Sequence, residues 1–169
     1  KELYSYGLFY NISHIIYIYI LNLWNLMIDE NGYRKNVGII LCNSKNELLI
    51  CKRFRENSWQ FPQGGFEESE SAESAMYREL FEEIGLSKKD VEILGKTKNW
   101  LKYDLPKKYQ RRTNNKLCVG QKQIWFLLKL ITNESSINLS KSKKPEFDAW
   151  EWSSITKPLE IVINFKKNV

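Results

Sequence analysis

Between Ser71 and Ile84, the apolar residues Ala72, Met76, Leu80 and Ile84 recur every four positions, with Ala75 beside them. That spacing makes one apolar stripe on a helix and fits no strand. Ser69 or Ser71 can cap its start, and Gly85 can end it in a left-handed turn. The chain must therefore supply a surface for this stripe to pack on. The flanking sequence supplies short β-like runs. Val37–Cys42 and Glu47–Arg53 flank Asn43-Ser44-Lys45-Asn46 and read as a hairpin. The run from Ser58 to Gly65 reads as a strand entering a loop. Val91–Lys98, Lys122–Ile131 and the Trp150-Glu151-Trp152 region read as further strands, and Leu159–Lys166 opens a second helix. Strands mixed with two or three helices predict an α/β layered domain.

The size suits one such domain, with 169 residues, 43% hydrophobic and 27% charged. Those proportions exclude a disordered tail, a disulfide-stapled miniprotein and a collagen-like fibre. The three cysteines, Cys42, Cys51 and Cys118, are scattered and never spaced C-x-x-C, so they read as reduced thiols of a cytoplasmic protein. His14 is the only histidine, which argues against a histidine triad or a His-rich metal centre.

Residues 1–26 differ in texture. They carry Lys1 and Glu2 as their only charges, and their densest apolar run is Ile15–Leu21. Asn11, Ser13, His14, Asn22 and Asn25 interrupt the wider window, so no apolar stretch reaches the roughly 18–20 residues of a spanning helix. There is no basic n-region beyond Lys1 and no small-residue cleavage site. We read 1–26 as a non-native upstream segment or a disordered apolar extension, in preference to a membrane anchor. Residues 27–169 are then the functional domain, beginning at the first methionine, Met27.

Seven glutamates, Glu67, Glu68, Glu70, Glu73, Glu79, Glu82 and Glu83, fall within 17 residues. On the helix, Glu79, Glu82 and Glu83 stand at i, i+3 and i+4, so like charges crowd one side and weaken it. A charge run of this kind is usually a solvated helix face. Two features favour chemistry instead. Gly64-Gly65 lets a loop approach the helix closely. Arg78 can offset part of the negative charge, and a divalent cation with oxygen ligands, such as magnesium, offsets it better.

The spacing itself is the second feature: Gly64, Glu70, Arg78-Glu79-Leu80, Glu82-Glu83 and Gly85-Leu86 span 23 residues with nine restricted positions. This resembles the Nudix signature, and it is far more specific than a lone glycine-rich loop. The resemblance extends through Tyr33-Arg34-x-Asn36-Val37-Gly38, Ser58 to Gly65, Ala75 to Glu83, Asn99-Trp100-Leu101, Gly120-Gln121-Lys122-Gln123 and Pro145-Glu146-Phe147-Asp148. Together these are similar to the bacterial RNA pyrophosphohydrolase branch of the family. Met27-Ile28-Asp29-Glu30 looks like that branch's start, and the branch continues a helix past the position of Val169. One departure is Phe66-Glu67-Glu68-Ser69, where relatives often carry a Pro-Gly turn. A changed loop shape with intact chemistry is expected there.

The resemblance implies a Nudix α/β/α sandwich with a mixed sheet. It implies a hydrolase that needs Mg2+, with Mn2+ or Zn2+ as substitutes, and that trims RNA 5′ triphosphate or diphosphate ends to monophosphates, promoting mRNA decay. Glu79, Glu82 and Glu83 are the expected metal ligands. By resemblance, Glu146 joins them from a distant loop as ligand or base. Glu70 is expected to orient Arg78 and cap the helix, while Gly64 and Gly65 bring backbone close to metal or phosphate. Arg53 and Phe165 would sandwich a base, and Arg34 and Lys166 would meet phosphates. Some relatives bind diaminopimelate epimerase. Dinucleoside polyphosphate hydrolases share nearly the same motifs, and a silent nucleotide-binding module is the alternative from another class.

The net charge is +6, and it is unevenly placed. Between Lys96 and Lys129 lie ten basic residues against one acid, Asp104. Such a segment suits a phosphate-facing surface. Trp100, Tyr103 and Tyr109 are interleaved, either as core or as stacking platforms.

Overall fold

The computed structural model describes residues 28–113, 116–142 and 144–161. The segment 1–27, and with it Met27, lies outside the described residues, as do Phe165 and Lys166.

The expected hairpin is present: β1 (Tyr33–Cys42) pairs antiparallel with β2 (Leu48–Arg53), with Cys42 opposite Leu48. Asn43 shapes the turn. Its side-chain oxygen accepts from the backbone of Lys45 and Glu47, and Asn46 takes φ = 62°. β1 starts earlier than its own apolar run because β9 (Gly120–Leu130) pairs with it in parallel from Tyr33 onward. Around this pair the sheet runs β10 (Phe147–Ser153), β2, β1, β9, β5 (Val91–Lys96). β3 (Trp59–Gln60) joins β2, β4 (Gln63–Gly65) joins β1 and β6 (Leu101–Asp104) joins β9. β5 bulges between Ile93 and Gly95 and ends at Lys96, short of the expected Lys98. β7 (Arg111–Thr113) and β8 (Lys116–Cys118) form a separate ribbon.

The helix α1 (Ala72–Ile84) lies where its stripe predicts. Ser71, not Ser69, is its cap, accepting from Ser74 N, and Gly85 ends it at φ = 76°. Ala75, Met76, Leu80 and Ile84 are buried against Val37, Ile39 and Leu41 of β1, Leu49 and Cys51 of β2, and Phe126 and Leu128 of β9. The alternate residues of those strands face the other side. There Ile40, Ile50 and Trp125 join Trp59, Phe61 and the short helix α2 (Lys157–Ile161) around a cavity of about 260 Å³. One helix on each face of a mixed sheet is an α/β/α sandwich.

Trp100 packs on the core beside Phe66, and Tyr103 is buried. Tyr109 is exposed on its turn. Cys42, Cys51 and Cys118 are free thiols. Among the described residues, no helix is long and apolar enough to cross a membrane.

Candidate active site

β4 brings Gly64 against α1, and this close approach fixes the site. A Cβ at Gly64 would fall 1.7 Å from the Glu79 carboxyl carbon, so only glycine leaves room for that carboxylate. One residue earlier, the Gln63 N–H donates to Glu83 Oε2 at 2.9 Å. Glu79 and Glu83 are one helical turn apart, and both are buried, with 8% and 4% of their surface exposed.

Glu82 does not share their surroundings. Its side chain is 51% exposed, so the three glutamates split into a buried pair and an outer partner. The cause is angular. Residues four apart point nearly the same way, whereas position 82 is rotated about 100° from 83. The pair faces the β4 loop, not an open cleft or solvent.

Arg78 gathers the rest of the negative charge. Its Nη1 donates to Glu79 Oε1 at 2.7 Å and to Glu82 Oε2 at 3.3 Å. Nε and Nη2 each reach a Glu70 oxygen at 3.0 Å, and Nη2 also donates to the Gly65 carbonyl at 2.7 Å. Burial alone would lower the Arg78 pKa, but the bonds from Glu70 and Glu79 outweigh it and hold the guanidinium above its ordinary value. Glu70 thus orients Arg78 as expected. It does not cap α1, because Ser71 does so and Glu70 turns back to accept from Glu67 N at 2.9 Å. In the departing loop Ser69 takes φ = 60°, the left-handed conformation that costs glycine least.

Glu146 arrives on the segment that leads into the edge strand β10. Its neighbour Phe147 is buried in the core opposite Arg53, and the Glu146 carbonyl accepts from Phe54 N at 2.8 Å. Its carboxylate is an electrostatic neighbour of Glu83. Burial, then Glu146, then Glu79 raise the Glu83 pKa well above that of an ordinary glutamate. Burial also raises Glu79, with Arg78 opposing it. Glu83 Oε1 is buried without a donor among the described residues. A buried carboxylate oxygen with no donor, beside two more carboxylates, is chemically suited to a divalent cation. The described side chains do not already form a closed set of metal ligands, since Arg78 engages Glu79 and Glu82.

Arg34 borders the same cluster. A Cβ at Gly65 would lie 2.3 Å from its Nη2. Burial lowers its pKa, while Cys118, Glu79, Glu146 and Tyr103 act to hold the charge.

A family model described as the NUDIX domain matches residues 32–168. The chain belongs to the Nudix family. A Pasteurella multocida protein named RNA pyrophosphohydrolase is 58% identical over 143 residues, covering 85% of this chain and 72% of its own. Its Serratia proteamaculans counterpart is 54% identical over 143 residues, covering 85% and 82%. In fold, the Nudix chain is similar to the solved E. coli dihydroneopterin triphosphate pyrophosphohydrolase, with a TM-score of 0.64 at 17% identity, over 79% of this chain and 89% of that one.

The Nudix helix and loop therefore bring together Glu79, Glu83, Glu146, Gly64, Gly65 and Arg34, with Arg78, Glu70 and Glu82 on the outer side. Arg53 is exposed at the end of β2 and pairs with Glu56 at 3.5 Å. Two contributors stand in motifs that carry the resemblance, with no role at the site expected from sequence. The Gln63 N–H is a backbone donor, visible in sequence only as the residue before Gly64-Gly65. Gln121 accepts from Tyr103 Oη at 2.5 Å and from Asn36 Nδ2 at 3.0 Å, next to Arg34 in the sheet. Alternation along β9 would have placed it on a face, not beside a site.

Proposed function

We propose that the chain is an RNA 5′ pyrophosphohydrolase that depends on a divalent cation, magnesium above all. The observation that carries this reading is the meeting of Glu79, Glu83 and Glu146 with Arg34 at the Gly64-Gly65 loop. Its similarity to proteins named RNA pyrophosphohydrolase supports the choice of substrate.

Glu79, Glu82, Glu83 and Glu146 are the residues that would hold the metal. Glu79 and Glu82 are then shared with Arg78. When bound, the cation neutralises phosphate charge and activates water. Arg34 meets the phosphate chain, and Arg53 meets the nucleotide at its 5′ end. Gly64 and Gly65 keep the loop close enough for backbone to approach phosphate. Water adds to phosphorus, the P–O–P bond breaks, and the proton goes to Glu146, the accessible member of the Glu83–Glu146 pair. A triphosphate end yields a monophosphate end and pyrophosphate, and a diphosphate end yields orthophosphate. A cytoplasmic enzyme of this kind exposes transcripts to decay. Offering the purified protein 5′-triphosphorylated RNA and a diadenosine polyphosphate in parallel, with magnesium, tests the substrate. Faster turnover of the dinucleotide would overturn it.

A further inference from the structure

The ten basic residues between Lys96 and Lys129 are not distributed evenly over the surface. From Leu105 to Val119 there are five, Lys107, Lys108, Arg111, Arg112 and Lys116, and no acid. All five are exposed. No acid among the described residues pairs with any of them. Asp104, just upstream, is held by Tyr33 Oη at 2.6 Å.

This charge sits on the β7–β8 ribbon and the Lys107–Tyr109 turn that leads into it. The ribbon stands apart from the main sheet, and its root is fastened beside the catalytic cluster. Val119 N donates to the Gly32 carbonyl at 2.9 Å, and a Cβ at Gly32 would lie 2.8 Å from the Leu117 carbonyl. Cys118 is the hairpin partner of Arg111 and also an electrostatic neighbour of Arg34. Arg111 is therefore one strand away from the residues that flank Gly65. Arg112 continues the basic surface away from the site, while Lys116 Nζ turns back to donate to the Ile28 carbonyl at 3.3 Å, in a pocket that Asp29 and Glu30 also line.

We propose that the β7–β8 ribbon and its approach turn form a track for the phosphodiester backbone of single-stranded RNA, downstream of the nucleotide whose 5′ end enters the site. The inference rests on the RNA hydrolase reading and adds where the rest of the transcript lies. Exposed Lys107, Lys108, Arg111 and Arg112, with no ion-paired acid among the described residues and next to a phosphate-processing site, complement a polyanion without reading its sequence. Substrates too short to reach the ribbon gain nothing from it.

The test uses the full chain and the double variant Arg111→Gln with Arg112→Gln, which keeps long side chains and removes two charges. Lys45→Gln, on the β1–β2 turn, is the control. Turnover is measured on a 5′-triphosphorylated dinucleotide and on an RNA of about a dozen nucleotides, and binding on the matching 5′-monophosphorylated products. The double variant should lower kcat/KM and affinity for the longer RNA by about tenfold at low salt. It should also flatten the log–log salt slope by about 0.7 for each phosphate that the ribbon no longer neutralises. The dinucleotide should be processed as before, and Lys45→Gln should change neither. Equal loss on both lengths, no loss on either, or the same loss in Lys45→Gln would overturn the track, and a surface for a protein partner would give the second of these. A wild-type chain that binds the longer product tightly through the ribbon but cleaves no RNA end would support the track while contradicting the hydrolase reading.

Discussion

The Gln63 N–H donates to one oxygen of Glu83 at 2.9 Å, while the other oxygen of that buried carboxylate has no donor among the described residues. Glu146 and Glu79 stand nearby and add repulsion. Glu83 thus weakens the metal-free fold in order to sit where it does.

Replacing it should separate stability from activity. A carboxyl whose pKa is raised on folding binds its proton more tightly in the folded chain than in the unfolded one. That favours the folded state at low pH, and the advantage is lost as pH rises from the ordinary glutamate value through the raised one. Glu83→Gln removes this dependence. Without metal, its melting temperature should exceed that of the wild type, and the gap should widen as pH rises above the ordinary glutamate range. The gain should be at least a few tenths of a kcal/mol, the size of a like-charge helix pair. Activity should fall by about 10²-fold or more, as when a group that stabilises the transition state is lost. Glu82→Gln should show no such thermal gain, because Glu82 is exposed and paired with Arg78. Melting curves without metal and single-turnover rates with magnesium check both halves.

Gly64→Ala should act on geometry alone. Its backbone angles suit any residue, but the added methyl would displace the Glu79 carboxylate. The variant should fold and lose about 10²-fold in kcat, the scale of an ångström-sized misplacement. Circular dichroism with steady-state rates would show it. A fully active variant would mean that the Glu79 position is immaterial.

Ser69→Gly should stabilise the loop before α1. Ser69 is exposed and left-handed, and glycine relieves that strain at some entropic cost. The net gain should be about 0.5–1 kcal/mol by urea unfolding.

A protein beginning at Met27 should cleave RNA ends as fast as the full chain, because every site residue named above lies after that position. Loss of activity or solubility on removing 1–26 would assign that segment a role.

Much of this arrangement was legible in the sequence because it depends on local periodicity. The Ala72-Met76-Leu80-Ile84 stripe located α1, and Asn43 to Asn46 located the first hairpin. The parallel pairing of β1 with β9 was not legible, because its partners lie more than eighty residues apart and neither strand specifies the other. The same limit applied to the glutamates. Spacing put Glu79, Glu82 and Glu83 on one side of a helix. Helical angle sets Glu82 apart from the other two, and the closure of Gln63–Gly65 buries that pair while Arg78 holds Glu82 outside.

The most direct measurement is the product of 5′-triphosphorylated RNA incubated with the purified chain and magnesium. The expected product is 5′-monophosphorylated RNA with release of pyrophosphate, abolished by chelation and reduced by about 10²-fold in Glu83→Gln. An RNA that keeps its triphosphate, or turnover that Glu83→Gln leaves untouched, would contradict the hydrolase reading.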